Sequence, residues 1–158
     1  MKTLYHGSIN MVKEPLVNVG RDGLDFGKGF YTTDIHEQAA RWAQRLARQQ
    51  KAVPVVNVYQ FEYEKATDFR YLKFTAYDKS WLDFIVQCRK GFDVTKEWDI
   101  VEGGVANDRV IDIVEGYING TVDAEHAITE LAQHQPNNQI CFLNQKAVDV
   151  CLKFVKIC

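Results

Sequence analysis

The chain has 158 residues and a mass of 18.2 kDa, a length typical of one domain, so residues 1–158 are expected to form a single domain. Apolar residues make up 46% of the sequence and the formal net charge is −2. This composition excludes a mostly disordered chain, and it provides no overall basic excess for wrapping a nucleic-acid backbone.

Apolar alternation and turn residues predict the elements of the N-terminal half. Asp34 is expected to cap a helix whose apolar residues recur at helical spacing to about Gln50. The run Val53–Tyr63 alternates and is rich in Val, Tyr and Phe, which favours a strand. The predicted order is a strand over Lys2–His6, a loop over residues 9–29, a short strand over Phe30–Thr33, the helix, and the strand over Val53–Tyr63.

Helices and short strands continue to alternate through the C-terminal half. Asp78 and Asp123 stand where helices would begin, and Gly91 and Gly120 stand where helices would end. The predicted elements are a helix over Asp78–Arg89, a strand over Asp99–Val101, a helix around Val110–Tyr117, a helix from Asp123 to about Gln133, and strands over Gln139–Leu143 and Leu152–Cys158. Helices scattered between antiparallel-type strands predict the α+β class.

The N-terminus lacks the apolar core of a signal peptide, and no stretch approaches the roughly 18 apolar residues of a membrane span. None of the four cysteines has the spacing of a C-x-x-C pair, and no histidine lies at zinc-finger spacing from one. We therefore expect a cytoplasmic protein with reduced thiols, no metal site and no membrane partner.

Three polar residues lie at the ends of predicted strands, where functional sites are often built. They are His6 beside Gly7-Ser8, Tyr31 before the first helix, and Gln139 after Asn137-Asn138. Each also has a structural interpretation, as a hydrogen-bonded histidine, a core-edge aromatic residue and an ordinary strand residue. The glycines at 23, 27 and 29 permit either a close approach of backbone to a ligand or merely a loop.

Four segments in order along the chain resemble the ADP-ribosyltransferase superfamily in its His-Tyr-Glu branch, which includes poly(ADP-ribose) polymerases and diphtheria-type toxins. Within that branch the chain looks closest to a bacterial domain of unknown function. The segments are Tyr5–Ser8, Asp25–Thr33, Asp99–Gly103 and Asn138–Phe142. The most specific is the second, in which Gly29-x-Tyr31 precedes a helix with Ala39, Ala40 and Trp42.

This resemblance implies a split, strongly bent pair of antiparallel sheets around an NAD cleft, with flanking helices. It implies that His6 hydrogen-bonds the ribose next to nicotinamide, that the Gly7 backbone holds the carboxamide, and that Tyr31 stacks on the ring. Gly29 would allow the close approach. The cofactor-binding set implied for NAD is His6, Gly7, Ser8, Gly29, Phe30, Tyr31 and Thr32, with no metal.

The sequence departs from the family at the third catalytic position, where active members usually carry glutamate and this chain has Gln139. Glutamine accepts a hydrogen bond but carries no charge and cannot act as a base. Losing one such electrostatic group typically costs about 3–4 kcal/mol. If the site is a weakened transferase, restoring glutamate at 139 is expected to accelerate turnover; a loss of function would instead indicate a different acceptor or a different geometry. Glu102 and Asp108 flank a turn from which either could reach a cleft; the favoured interpretation is that Glu102 is solvated and Asp108 caps the next helix, and Asp108 is retained as a further catalytic candidate. Arg109 is interpreted as either a phosphate ligand or a helix-surface residue.

The resemblance implies a mono-ADP-ribosyltransferase that moves ADP-ribose from NAD to a protein or nucleic-acid acceptor, plausible as a bacterial toxin–antitoxin or phage-defence effector with an antitoxin partner. Two alternatives share the cleft. With Gln139, the domain could bind NAD or ADP-ribose without turnover, or it could use water as the acceptor and act as an NAD glycohydrolase.

Overall fold

A computed structural model describes residues 1–20, 24–106, 108–131 and 137–158, with backbone alone at 108 and 109. It contains two sheets and six α-helices, which confirms the α+β class. The strands are β1 Lys2–Ser8, β2 Phe30–Thr32, β3 Val55–Phe61, β4 Tyr71–Lys73, β5 Ile100–Gly103, β6 Gln139–Phe142 and β7 Leu152–Ile157. The helices are α1 His36–Gln50, α2 Tyr63–Ala66, α3 Lys79–Arg89, α4 Asp108–Ile118, α5 Ala124–Leu131 and α6 Gln145–Cys151.

The first sheet has the order β1-β3-β7 and the second has the order β2-β6-β5-β4. All strand pairs are antiparallel except β4 with β5, which is parallel. One isolated antiparallel bridge between Tyr5 of β1 and Thr33 joins the two sheets. In the described part of the chain no helix is long and apolar enough to cross a membrane.

The second sheet separates two hydrophobic cores, because successive side chains of a strand point to opposite faces. Tyr31 and Cys141 contact one core, which is centred on Trp81 and the helices α3 and α4. Phe30 and Phe142 lie in the other core, which is shared with the first sheet. The odd-numbered residues of β2 and β6 therefore face the first core, and the even-numbered residues face the second.

Two of the three predicted helix N-caps are confirmed and one is wrong. The Asp78 carboxylate accepts a hydrogen bond from the Trp81 amide and the Asp123 carboxylate accepts one from the His126 amide, as expected of N-cap residues. The prediction for Asp34 is wrong, because α1 begins at His36 without a side-chain cap. The Asp34 carboxylate instead makes tertiary contacts that are described below.

Several element boundaries also differ from the sequence predictions. The third strand ends at Phe61 and the chain turns into the short helix α2, where a longer strand was expected. Strand β4 and helices α2 and α6 were not predicted, since each spans only three to seven residues and offers little periodicity. The predicted end of α5 at Gln133 lies outside the described residues.

Candidate functional site

The two sheets part immediately after the Tyr5–Thr33 bridge, and His6 lies at this junction. Tyr5 and Thr33 exchange both backbone hydrogen bonds, at 2.8 and 2.9 Å. One residue further along β1, the link between the two strands is a side-chain hydrogen bond, because His6 Nδ1 lies 2.7 Å from the Tyr31 carbonyl oxygen. A carbonyl can only accept, so Nδ1 carries the proton and Nε2 is the acceptor of the neutral ring.

Burial keeps the His6 ring neutral. Desolvation lowers the pKa of His6, and it outweighs the opposing effect of the hydrogen bond to the Tyr31 carbonyl. The ring also packs against Phe30, with centroids 4.3 Å apart and planes tilted by 33°. The hydrogen bond and the ring packing therefore fix both the tautomer and the orientation of His6, and Nε2 is the acceptor nitrogen of the ring.

The backbone polar groups of Gly7 point to the side of β1 on which the two sheets part. Val56, its partner in β3, exchanges both backbone hydrogen bonds with Cys158 on its other side, at 3.2 and 2.9 Å. In an antiparallel ladder Gly7 therefore points its N–H and C=O away from β3, toward the side on which Tyr5 pairs with Thr33. Glycine is required here because a Cβ would lie 2.1 Å from the Ala39 carbonyl oxygen in α1.

Tyr31 is locked in place by the loop before it. Its hydroxyl donates to the Gly27 carbonyl at 2.5 Å and accepts from the Phe26 amide at 3.0 Å. Gly27 adopts φ +86°, a left-handed conformation that favours glycine. Burial, supported by the nearby Cys141 thiol, raises the pKa of Tyr31 well above its ordinary value, so this residue offers an aromatic surface rather than a base.

Other residues of the implied NAD set have structural partners inside the protein. Phe30 is buried in the core, and the Thr32 hydroxyl donates to the Ile140 carbonyl at 2.8 Å. The Ser8 hydroxyl accepts from the Asn10 amide at 3.2 Å. A Cβ on Gly29 would lie 2.6 Å from the Phe142 carbonyl oxygen, so packing against β6 accounts for this glycine. Their roles toward NAD stay predictions.

Gln139 begins β6, one strand beyond Tyr31. Tyr31 pairs with Cys141, and Gln139 lies two residues along the same face of β6. His6, Tyr31 and Gln139 thus lie on three neighbouring strands. The Gln139 side chain is buried, and its Nε2 lies 3.4 Å from both the Asp25 Oδ2 and the Gly104 carbonyl oxygen.

Asp25 is a largely but not fully buried carboxylate near the site that the sequence analysis missed. Its Oδ1 accepts from Arg89 at 2.6 Å, and its Oδ2 accepts from the Ala106 amide at 3.0 Å. The signal was present, since Asp25 opens the most specific matching segment. Its side chain could not be placed beside Gln139 without knowing how the loop before β2 folds back.

The interpretation of Glu102 as solvated is wrong. Glu102 is 4% exposed; it accepts hydrogen bonds from the Tyr71 hydroxyl and, at 3.1 Å, from Asn138 Nδ2. Lys73 Nζ lies 3.9 Å away. Because Glu102 pairs with Ile140, it lies on the opposite face of the sheet from Gln139. The side chains of Asp108 and Arg109 lie outside the described part of the structure.

Asn138 links this carboxylate to the loop before α1. Its Nδ2 also lies 3.1 Å from the Asp34 Oδ1, and the Asp34 Oδ2 lies 2.9 Å from Lys2 Nζ. Burial acts to raise the pKa of Asp34, but the hydrogen bonds from Lys2 and Asn138 and the charge of Lys2 lower it overall. Gln38 Nε2 holds the Asn138 carbonyl at 2.9 Å, so the start of β6 is fixed by three elements.

Comparison with known proteins identifies the family to which the chain belongs. No curated protein and no solved structure matches the chain. A family model described as protein of unknown function (DUF3990) matches residues 2–154, almost the whole sequence. The chain therefore belongs to the DUF3990 family.

Proposed function

We propose that this chain is an NAD-dependent mono-ADP-ribosyltransferase with an ADP-ribosyltransferase-like fold. The observation that carries the proposal is the junction of the two sheets, where a neutral histidine, a glycine backbone turned away from β3 and a fixed tyrosine ring lie together. Gln139 lies one strand further. This set matches the contacts that the nicotinamide riboside half of NAD requires: a ribose, a carboxamide and a flat aromatic ring.

Each group has a defined task in this proposal. The Gly7 N–H and C=O would pair with the carboxamide oxygen and nitrogen, as two strands pair. Tyr31 would stack on the ring, and an aromatic face also suits a neighbouring positive charge. His6 Nε2 would accept from a ribose hydroxyl, because Nδ1 is already used on the Tyr31 carbonyl.

NAD supplies an activated glycosidic bond. This C–N bond breaks, its electron pair leaves with neutral nicotinamide, and the ribose carbon becomes cation-like. The acceptor atom then forms the new bond to that carbon and releases its proton. The chain's residues accelerate the step by orienting the ribose, holding the leaving group and offering acceptors toward the developing charge.

Lysate labelling tests this proposal. The purified chain is incubated with labelled NAD and a bacterial lysate, and both nicotinamide release and transfer of label to protein and nucleic acid are followed. We expect label transfer by the unmodified chain and its loss in His6→Ala and Tyr31→Ala. His126→Ala and Phe92→Ala remove an exposed histidine on α5 and an exposed aromatic residue after α3, and should leave transfer unchanged.

The other outcomes separate the alternatives. Nicotinamide release without label would indicate a glycohydrolase. NAD binding by calorimetry without release would indicate a binding module, and absence of binding would refute the assignment of an NAD cleft.

The proposal includes a role as a bacterial toxin that is inhibited by an antitoxin. Induced expression of the chain in a bacterium should slow growth, and His6→Ala should relieve this effect.

A further inference from the structure

The Gln139 amide has a chemically determined orientation. An amide has two N–H donors on nitrogen and only acceptor sites on oxygen. The two groups that face Nε2, the Asp25 carboxylate and the Gly104 carbonyl, are both acceptors, and each lies 3.4 Å away. The flipped amide would direct its oxygen at both of them. The contacts are long, but both favour the same orientation.

We propose that Asp25 is a positioning residue that holds Gln139 with Oε1 directed to the cleft, so that a neutral amide presents its acceptor to a ribose hydroxyl of NAD. This inference rests on the proposed function. In this proposal the Asp25–Gln139 pair takes the place of a single catalytic carboxylate. Gln139 Oε1 accepts from the ribose hydroxyl, while the Asp25 carboxylate accepts from Gln139 Nε2 on the other side of the amide.

Asp25 is itself held rigidly enough for this task. Arg89 engages Oδ1 at 2.6 Å and the Ala106 amide engages Oδ2 at 3.0 Å, so both oxygens are fixed before Gln139 is considered. Arg89 comes from α3 and Ala106 from the loop after β5, so two separate elements set the carboxylate's position. Reorienting it would leave a buried amide or an arginine without its partner.

This arrangement reverses the expectation that glutamate at 139 accelerates turnover. Gln139→Glu would place a second carboxylate about 3.4 Å from the Asp25 carboxylate and against the Gly104 carbonyl, with no N–H on the new side chain to donate to these two acceptors. Two carboxylates this close do not both ionise readily, so a proton must be taken up or the new side chain must move. We expect Gln139→Glu to be slower than the unmodified chain.

A double-mutant cycle tests the pair. In Asp25→Asn the amide oxygen is expected to stay on Arg89, which turns the NH2 group toward Gln139, so Nε2 loses one of its two acceptors and faces a donor. This variant should lower the kcat of nicotinamide release about 10- to 100-fold with little change in KM, because a misoriented amide acts mainly in the transition state. Gln139→Glu alone should lower kcat similarly. In the double variant the introduced asparagine can donate to the introduced glutamate, so kcat should exceed that of Gln139→Glu about 10-fold. Restoration is partial, because the Ala106 amide loses an acceptor.

Thermal melting provides a readout that does not need activity. The shared proton of Gln139→Glu raises a carboxyl pKa in the folded state, so the melting temperature of this variant, relative to that of the unmodified chain at the same pH, should fall as pH rises from 5 to 8. Among the described side chains, the charged group that contacts Gln139 is Asp25, which is itself paired with Arg89. Tyr31 and Cys141 share its face, and burial raises the pKa of both, so they stay neutral in this range. Gln87→Glu on the exposed side of α3 and the double variant should lack this pH dependence.

Several results overturn the proposal. A Gln139→Glu variant that turns over faster than the unmodified chain refutes it, as does an Asp25→Asn variant with unchanged kcat. If the effects of Asp25→Asn and Gln139→Glu on kcat are additive in the double variant, the two positions are not coupled and the proposal fails. If the unmodified chain does not bind NAD by calorimetry, the proposed function fails and the acceptor role of Gln139 fails with it. The pH-dependent melting still reports separately whether Asp25 and position 139 are in contact.

Discussion

Gly7→Ala probes the contact that brings β1 against α1, and its effect follows from the geometry. The added Cβ would lie 2.1 Å from the Ala39 carbonyl oxygen, 3.0 Å from the Ala43 amide nitrogen and 3.1 Å from the Ala39 carbonyl carbon. All three are helix backbone atoms, which cannot rotate away as a side chain can. Relief to an ordinary contact requires α1 to move outward by more than about 1 Å from a close-packed interface.

Overpacking of this kind typically costs about 1–3 kcal/mol and occasionally more. We expect the upper end, about 3 kcal/mol, in the free energy of unfolding measured by urea denaturation monitored by circular dichroism. Gly91→Ala is the matched control. Its φ of +91° is strained for alanine but no atom lies within 4 Å of the added methyl, so it should cost about 1 kcal/mol through conformation alone.

The comparison isolates packing from backbone strain. If Gly7→Ala loses less than the control, helix α1 does not lie against β1 as described, and the position of the Gly7 backbone at the gap would have to be abandoned. If the loss is large, NAD binding should also be measured on the folded fraction, since the displaced strand carries His6 as well as Gly7.

Three further predictions concern buried ionisable groups. Desolvation lowers the pKa of His6 below its ordinary 6.5, so the unfolded chain binds more protons and stability should fall as pH drops below about 6.5; His6→Ala should abolish this dependence in urea titrations between pH 5 and 8, whereas His126→Ala should retain it. Hydrogen bonds from Arg70 lower the pKa of Asp99 from 3.8 to about 2, so its contribution is present above pH 3.8 and is lost as pH falls toward 2. Asp99→Asn should lower the free energy of unfolding by about 1–2 kcal/mol at pH 7, a figure reduced for solvent screening at the half-exposed Arg70 side chain. An equal loss for this variant at pH 2 would contradict the assignment. Glu102→Gln should cost about 2 kcal/mol at pH 7, because an amide cannot accept from all the donors that surround this carboxylate; a neutral effect in thermal melting would mean that the group is solvated after all.

Local signals in the sequence predicted most of the framework. Asp78 and Asp123 cap helices through bonds to residues three positions away, so a short window of sequence contains the whole interaction. Asp34 has the same residue type before a similar apolar pattern, yet its partners are Lys2 and Asn138. A contact to the other end of the chain overrides a local preference, and no local pattern reveals it.

The candidate site divides in the same way. His6 and Tyr31 were identifiable, because each lies in a short motif at the end of a strand. Asp25 and Glu102 were not, because their roles arise from contacts with Gln139 and Asn138 more than 30 residues away. Glu102 also lies on the opposite face of the sheet from Gln139, a placement that depends on the register of β5 with β6. A slip of one residue would move Glu102 to the face of Gln139.

The charge balance around Gln139 determines what kind of enzyme the proposal describes. Asp25 is paired with Arg89 at 2.6 Å, so the field of the carboxylate is largely offset and little net negative charge reaches a cation-like ribose carbon. What the pair supplies is orientation, since a held amide needs no reorganisation when charge develops. In the proposed function, binding of NAD depends on His6, Gly7 and Tyr31 and is not weakened by glutamine at position 139, whereas the transition state lacks a direct carboxylate worth about 3–4 kcal/mol. We therefore expect ordinary affinity for NAD with a kcat about 100- to 1000-fold below that of a carboxylate-bearing transferase, a split that steady-state nicotinamide release measures directly.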